Sequence, residues 1–328
     1  MAVLVVGEIE GGRLTTTSKE LLAAGRQLAG QLGEELAIGV MGSGLDGPAA
    51  EAISSGADKV YAVSNPLLDE YQVDLYLAAL DKLCRELSPS VVLLARTAVG
   101  REVAPRLAFR LGVGLAQDCL EVRIDSESKM LHANRPVYGG SCIATVTCSD
   151  TPQMAAVRPK VYEPLEPDES RQGEVIPFQV ELDPSMAKVR VMEVVQEESE
   201  GVKLEDAGIV VSGGRGLGGP ESFKQLEELA GILGAGIGAS RAAVDSGWVP
   251  YSWQVGLTGK TITPDLYITV GISGASQHMA GCSGAKVIVA INKDADANIF
   301  KEARYGVVGD WEKVLAAFTE TVRELVNS

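Results

Sequence analysis

Two rhythms of apolar residues alternate along the chain. Short unbroken runs at Leu4–Gly7, Leu36–Val40, Lys59–Val63 and Val91–Ala95 read as strands buried on both faces. Between them Leu21, Leu22, Leu28 and Leu32 recur at helical spacing and predict a helix over Ser18–Leu32, closed by Gly33. Val73–Leu87 carries a second amphipathic pattern and Gly100–Leu111 a third, with Pro105 expected in its first turn. Strands alternating with helices at this period predict βαβ units on a parallel sheet. Then the rhythm shortens. Cys119–Ile124, Met130–Arg135, Ser141–Thr147 and Gln153–Val157 are extended runs between polar turns, expected to form an antiparallel meander that extends the first sheet.

Residues 161–207 break both rhythms, with Pro164, Pro167, Pro177 and Pro184 and with 13 acidic against 4 basic side chains. Such a charge run reads as solvated connecting chain. Alternation then restarts, with strands at Ile209–Ser212, about Ala235–Ala239, Leu266–Gly271 and Lys286–Ile291, and helices at Pro220–Leu233 and Trp311–Val326. The expected organisation is an N-terminal α/β domain over 1–190, a linker over 191–207 and a second domain over 208–328. The fold class is α/β: a mostly parallel N-terminal sheet with an antiparallel extension, and a Rossmann-like or flavodoxin-like C-terminal domain.

A length of 328 residues suits two such domains. The 44 acidic and 29 basic side chains give a net charge of -15, which argues against nucleic acid and against a polybasic membrane anchor. No apolar run reaches the roughly 18 residues of a spanning helix, so no direct membrane insertion is expected. The start, Met1 to Gly7, lacks a basic n-region and reads as a strand. Five scattered cysteines without a C-x-x-C fit a reducing, cytoplasmic setting and offer no zinc or iron–sulfur framework. With His132 and His278 as the only histidines, no multi-histidine metal site is expected.

Candidate chemistry clusters in the second half. Gly213-Gly-Arg-Gly-Leu-Gly-Gly219 lies between a strand and a helix and reads G-x-G-x-x-G from Gly214, as a diphosphate-binding turn would. The next strand ends in Ser240-Arg241, not in the acidic residue an NAD ribose needs, although an arginine suits an NADP phosphate. An N-cap serine beside a surface arginine is the plainer account of that pair. Gln254-Val-Gly-Leu-Thr-Gly-Lys260 offers glycines around the Thr258 hydroxyl and by itself also fits an ordinary turn. Leu266 to Gly281 runs an apolar strand into Ser273-Gly274, with a helix starting near Ser276 and with Gln277 and His278 in its first turn, expected to face a ligand. Ala290 to Asp294 and Gly309-Asp-Trp311 end further strands in polar residues. No G-x-S-x-G elbow, Walker lysine loop or nucleophile–base pair occurs. One large ligand held by scattered hydroxyls, glycines and cations is the simplest account.

These six segments in this order resemble the α subunit of electron transfer flavoprotein, and the resemblance extends over the N-terminal part as well. It implies FAD as cofactor in the C-terminal domain and a heterodimer with the electron transfer flavoprotein β subunit, the N-terminal domain forming the base with it. It implies electron carriage from acyl-CoA dehydrogenase or a related flavin dehydrogenase to a quinone oxidoreductase. Some members instead bifurcate electrons from NADH. Carried over by motif, Arg215 would lie beside FAD. Ser240 and Arg241 would lie near the flavin, and Thr258, within Gln254, Val255, Gly256 and Leu257, would hydrogen-bond flavin N5. Ser273, Gly274, Ala275, Ser276 and Gln277 would hold the ribityl–diphosphate part, and His278 would sit near the C2 carbonyl. Asn292, Asp310 and Trp311 would adjoin the adenosine half. Two residues depart from the family pattern: Leu257 stands where many members have glutamine, and Trp311 replaces a commonly aliphatic residue.

A cation at Arg241 and a donor at His278 would favour the reduced flavin, with Thr258 tuning N5. Two other readings stay open on the residues alone. An NADP-dependent oxidoreductase would rest on Gly214–Gly219 with Ser240-Arg241, and a nucleotide-sensing module on the N-terminal domain.

Overall fold

The computed structural model describes residues 1–140, 142–189, 191–193 and 203–326. The chain divides into two compact units, the division falling within 194–202. That stretch, most of the expected linker, and residue 190 lie outside the described residues. Leu204 and Ala207, also placed in the linker by the sequence, are buried in the second unit's core.

In the first unit the elements follow as β1 (Ala2–Val6), β2 (Ile9–Glu10), β3 (Arg13–Leu14), α1 (Thr16–Leu32), β4 (Glu35–Gly42), α2 (Asp46–Ser54) and β5 (Lys59–Ser64). Then come α3 (Val73–Leu87), β6 (Val91–Ala95), α4 (Ala98–Leu111), β7 (Leu115–Cys119), β8 (Glu121–Ile124), β9 (Leu131–Val137), β10 (Cys142–Val146), β11 (Gln153–Val157) and β12 (Glu174–Phe178). Seven strands make one parallel sheet in the order β12-β5-β4-β1-β6-β11-β7. Every residue of β1 and β6 is buried, as a strand covered by helices on both faces requires. Alternation along β1 sorts its side chains: Val3 and Val5 join Leu21, Leu22 and Leu28 of α1, while Leu4 and Val6 join the cores of α3 and α4. Helix α1 starts where Thr15 accepts a hydrogen bond from the Ser18 amide and stops at Gly33, whose φ of 68° supplies the left-handed cap.

Four features differ from the sequence reading. Pro105 lies in the middle of α4, not its first turn; the helix begins at Ala98, where the Thr97 hydroxyl accepts from the Gly100 amide, and Pro105 is past the first turn of the expected Gly100 start as well. The antiparallel element, β8, β9 and β10, makes a small sheet of its own. Its expected first residue, Ser141 of the third run, lies outside the described residues. The fourth run, β11, leaves the meander and inserts parallel between β6 and β7. Within the proline-rich stretch β12 adds an edge strand on β5, and there Pro177 removes a donor at the sheet's open side.

The second unit runs β13 (Ile209–Gly213), α5 (Phe223–Leu233), β14 (Gly236–Ala239), α6 (Arg241–Asp245), β15 (Leu266–Val270), α7 (Ser276–Met279), β16 (Val287–Asn292), α8 (Ile299–Glu302), β17 (Tyr305–Val308) and α9 (Trp311–Val326). Its five parallel strands lie in the order β14-β13-β15-β16-β17. In chain order that is 2-1-3-4-5, the flavodoxin-like arrangement, which reverses direction between β13 and β15. No helix among the described residues is long and apolar enough to cross a membrane.

Candidate functional site

Open parallel sheets bind ligands outside the carboxyl ends of their strands, at the point where strand order reverses. In the second unit that point is flanked by the turns after β13 and β15. The two turns touch through bare backbone. The Gly214 amide donates to the Val270 carbonyl at 2.9 Å and the Gly216 amide to the Gly271 carbonyl at 3.0 Å. A Cβ on Gly214 would fall 2.2 Å from the Gly271 oxygen, and one on Gly216 2.7 Å from it. The first two glycines of the G-x-G-x-x-G pattern therefore let one turn pack on the other, a reason the sequence reading did not foresee. Gly271 itself has φ +64°. Arg215, between the packed glycines, is exposed.

The rest of the rim is tied to these turns by single backbone bonds. Ser240 donates its amide to the Gly213 carbonyl at 2.9 Å and stands at the N-cap of α6. Its hydroxyl makes no capping bond, and its buried Oγ has no partner among the described residues. Arg241 points outward, its guanidinium 3.2 Å from the Asp245 carboxylate one turn on. The Val255 amide donates to the Ala239 carbonyl at 2.9 Å, which docks the loop 254–260 beside β14. Within that loop Gln254 is buried and its Nε2 donates to Thr258 Oγ1 at 3.0 Å, while the Tyr251 hydroxyl donates to the Thr258 carbonyl at 2.5 Å. Gly256 is buried, and Leu257 and Thr258 form the exposed tip. The Leu257 amide reaches the Gln277 carbonyl at 2.7 Å, joining this loop to α7.

After β15, Ser273, Ala275, Ser276 and Gln277 are exposed, and Gly274 is pressed against the backbone of Ile299. His278 turns inward. It is 7% exposed, and its Nε2 lies 2.9 Å from the hydroxyl of the fully buried Tyr267. Its buried Nδ1 lies beside the Val255 backbone but has no partner in good hydrogen-bond geometry among the described residues. Burial pushes the imidazole pKa down from 6.5 to about 4, so the ring is neutral at ordinary pH. Tyr267 escaped the sequence reading because its ring continues the apolar pattern of β15.

The last two segments are largely committed to the fold. Asn292 is buried, donating from Nδ2 to the Ile272 carbonyl at 2.8 Å and accepting the Asp294 amide at Oδ1. Asp310 opens α9 by accepting the Glu312 amide at 3.0 Å. Trp311 packs with Leu315 in the hydrophobic core. All the sequence-selected residues thus lie along one continuous carboxyl rim, but Asn292, Trp311 and His278 point into the protein.

Similarity to known proteins is extensive. The family described as Electron transfer flavoprotein domain matches residues 3–183, and the family described as Electron transfer flavoprotein FAD-binding domain matches 203–283. The electron transfer flavoprotein subunit alpha of Thermoanaerobacterium thermosaccharolyticum is 44% identical over 98% of both chains. That of Bacillus subtilis is 41% identical over 98% of both. The protein FixB of Azorhizobium caulinodans is 42% identical over 98% of this chain and 88% of its own.

Proposed function

The chain belongs to the electron transfer flavoprotein family as an α subunit, and from that premise we propose that it carries electrons in the cytoplasm as a heterodimer with a β subunit. It would take them from a flavin dehydrogenase, such as an acyl-CoA dehydrogenase, and pass them to a quinone oxidoreductase. The observation that carries this reading is similarity over both units at once, in a chain whose second unit is the family's FAD-binding domain.

The rim suits FAD chemically. It offers two arginines, Arg215 and Arg241, for negative charge, hydroxyls and amides at Ser273, Ser276 and Gln277 for the ribityl–diphosphate part, and the orphaned Ser240 Oγ. Bound FAD supplies reversible uptake and release of electrons. Gln254 and Thr258 act as a unit. Because Nε2 donates into Thr258 Oγ1, the threonine's own proton is left to donate outward, as contact with flavin N5 demands. Arg241 brings a fixed positive charge that favours added electrons. In the adenosine half, Asp310 keeps one carboxylate oxygen for contact, whereas Asn292 and Trp311 act through the loops they fix.

The test is anaerobic and optical. The heterodimer's flavin absorbance is expected to bleach with an acyl-CoA dehydrogenase and its substrate, and to return on adding a quinone oxidoreductase. Bleaching by NADH alone would assign the protein to the bifurcating members instead, and a colourless protein that binds NADPH would replace the carrier reading.

A further inference from the structure

We infer that Tyr267 is a positioning residue: its hydroxyl donates to Nε2 of His278 and thereby fixes the imidazole's single proton on Nδ1. The pair is enclosed, Tyr267 being 0% and His278 7% exposed, with oxygen and nitrogen 2.9 Å apart and the ring planes 21° from parallel. A phenol is a stronger acid than a neutral imidazole, and an imidazole nitrogen is a better acceptor than a phenol oxygen. The proton between them therefore belongs to Tyr267. Burial disfavours charge on both groups, which leaves the neutral pair. A neutral imidazole carries one N–H, so occupation of Nε2 by the tyrosine proton places it on Nδ1.

The consequence lies on the ligand side of the ring. Nδ1 becomes a buried donor whose nearest protein acceptor among the described residues, the Val255 backbone, accepts only outside good hydrogen-bond geometry. Buried donors are almost always satisfied. A better-aligned acceptor fits a carbonyl of the molecule bound at the rim, since His278 sits on α7, which the Leu257 amide ties to the 254–260 loop. This step rests on the reading that the second unit holds FAD. Without Tyr267 the ring would be free to place its proton on Nε2, and that tautomer would present a lone pair to the carbonyl.

The chain has two histidines, so nitrogen-15 spectroscopy of the labelled, flavin-bound heterodimer can resolve the pair, with His278 signals assigned by their loss in His278→Gln. The expected result is a protonated-type shift at Nδ1 and an unprotonated-type shift at Nε2, as a single tautomer. In Tyr267→Phe the Nε2 shift should move toward the protonated value while the His132 signals stay in place. A protonated Nε2 in the unaltered protein would overturn the assignment, as would an unchanged tautomer in Tyr267→Phe. If Tyr267→Phe does not fold, the unaltered protein's tautomer decides alone. If the sample carries no flavin absorbance, the cofactor reading fails, and the tautomer still tests Tyr267 by itself.

Discussion

His278 carries a stability signature that depends on its burial. Its folded pKa of about 4 lies below the 6.5 of the unfolded chain. Below pH 6.5 the unfolded chain therefore takes up a proton that the fold refuses, and stability falls as pH drops toward 4. The full loss is on the order of 3 kcal/mol. In urea titrations at pH 7 and pH 4.5, His278→Gln should lose less stability than the unaltered protein, and equal losses would contradict the burial argument. Arg241 is the opposite case. Its ion pair with Asp245 is exposed and worth about a few tenths of a kcal/mol, so Arg241→Ala should leave the urea midpoint almost unchanged. The same substitution should lower the FAD potential by tens of millivolts, where about 59 mV is a tenfold change for one electron. An unchanged potential in spectroelectrochemistry would remove Arg241 from the flavin's surroundings. At this scale the sequence displayed the polar residues that end strands, such as Ser240-Arg241 and Ser273, because they break an apolar run locally. It hid the Tyr267–His278 pair, which two elements bring together across eleven positions.

Among the elements, the rim depends on the backbone contact between the turns after β13 and β15. Gly271→Ala would combine a side chain at φ +64° with a Cβ 2.9 Å from the Gly216 carbonyl carbon. The expected cost is roughly 2 to 3 kcal/mol in urea denaturation, with weaker flavin retention, and a variant as stable as the parent would contradict the packing account. In the first unit Thr97 joins α4 to the turn after β1. Its hydroxyl accepts the Gly100 amide at 3.0 Å and donates to Glu8 at 2.6 Å. Burial raises the Glu8 pKa, and the Thr97 bond opposes that rise. Stability linked to Glu8 is therefore full below its unfolded pKa and is lost as pH rises through the folded one. Thr97→Ala should cost about 1 to 2 kcal/mol at pH 5 and more at pH 8, and the reverse order in urea titrations would count against it. Strands buried on both faces were legible as apolar runs, and α3 and α9 as amphipathic stripes. The direction of β11 was not, since a short apolar strand carries no mark of which neighbours it joins. Strand β17 was missed because it is four residues long and interrupted by Gly306, so it makes no sustained apolar run. Helix α2 was missed because Gly47-Pro48 reads as a turn, although proline is tolerated in a helix's first turn.

Over the whole molecule, the charge is uneven. The first 207 residues carry -13 of the net -15, leaving the FAD-binding unit close to neutral, a setting in which a few arginines can act on a bound anion. Two alternating α/β patterns separated by an acidic, proline-rich stretch made the two-unit plan readable from sequence, whereas the place of β12 at the edge of the first sheet depended on pairing that no local pattern encodes. The account's central claim is that the second unit holds FAD. The most direct measurement is the visible spectrum of the protein purified with its β subunit, followed by extraction and counting of flavin. The prediction is a yellow protein with FAD bound to the α chain, retained in Thr97→Ala and diminished in Gly271→Ala. A protein that is colourless, and that stays so after incubation with FAD, would contradict it.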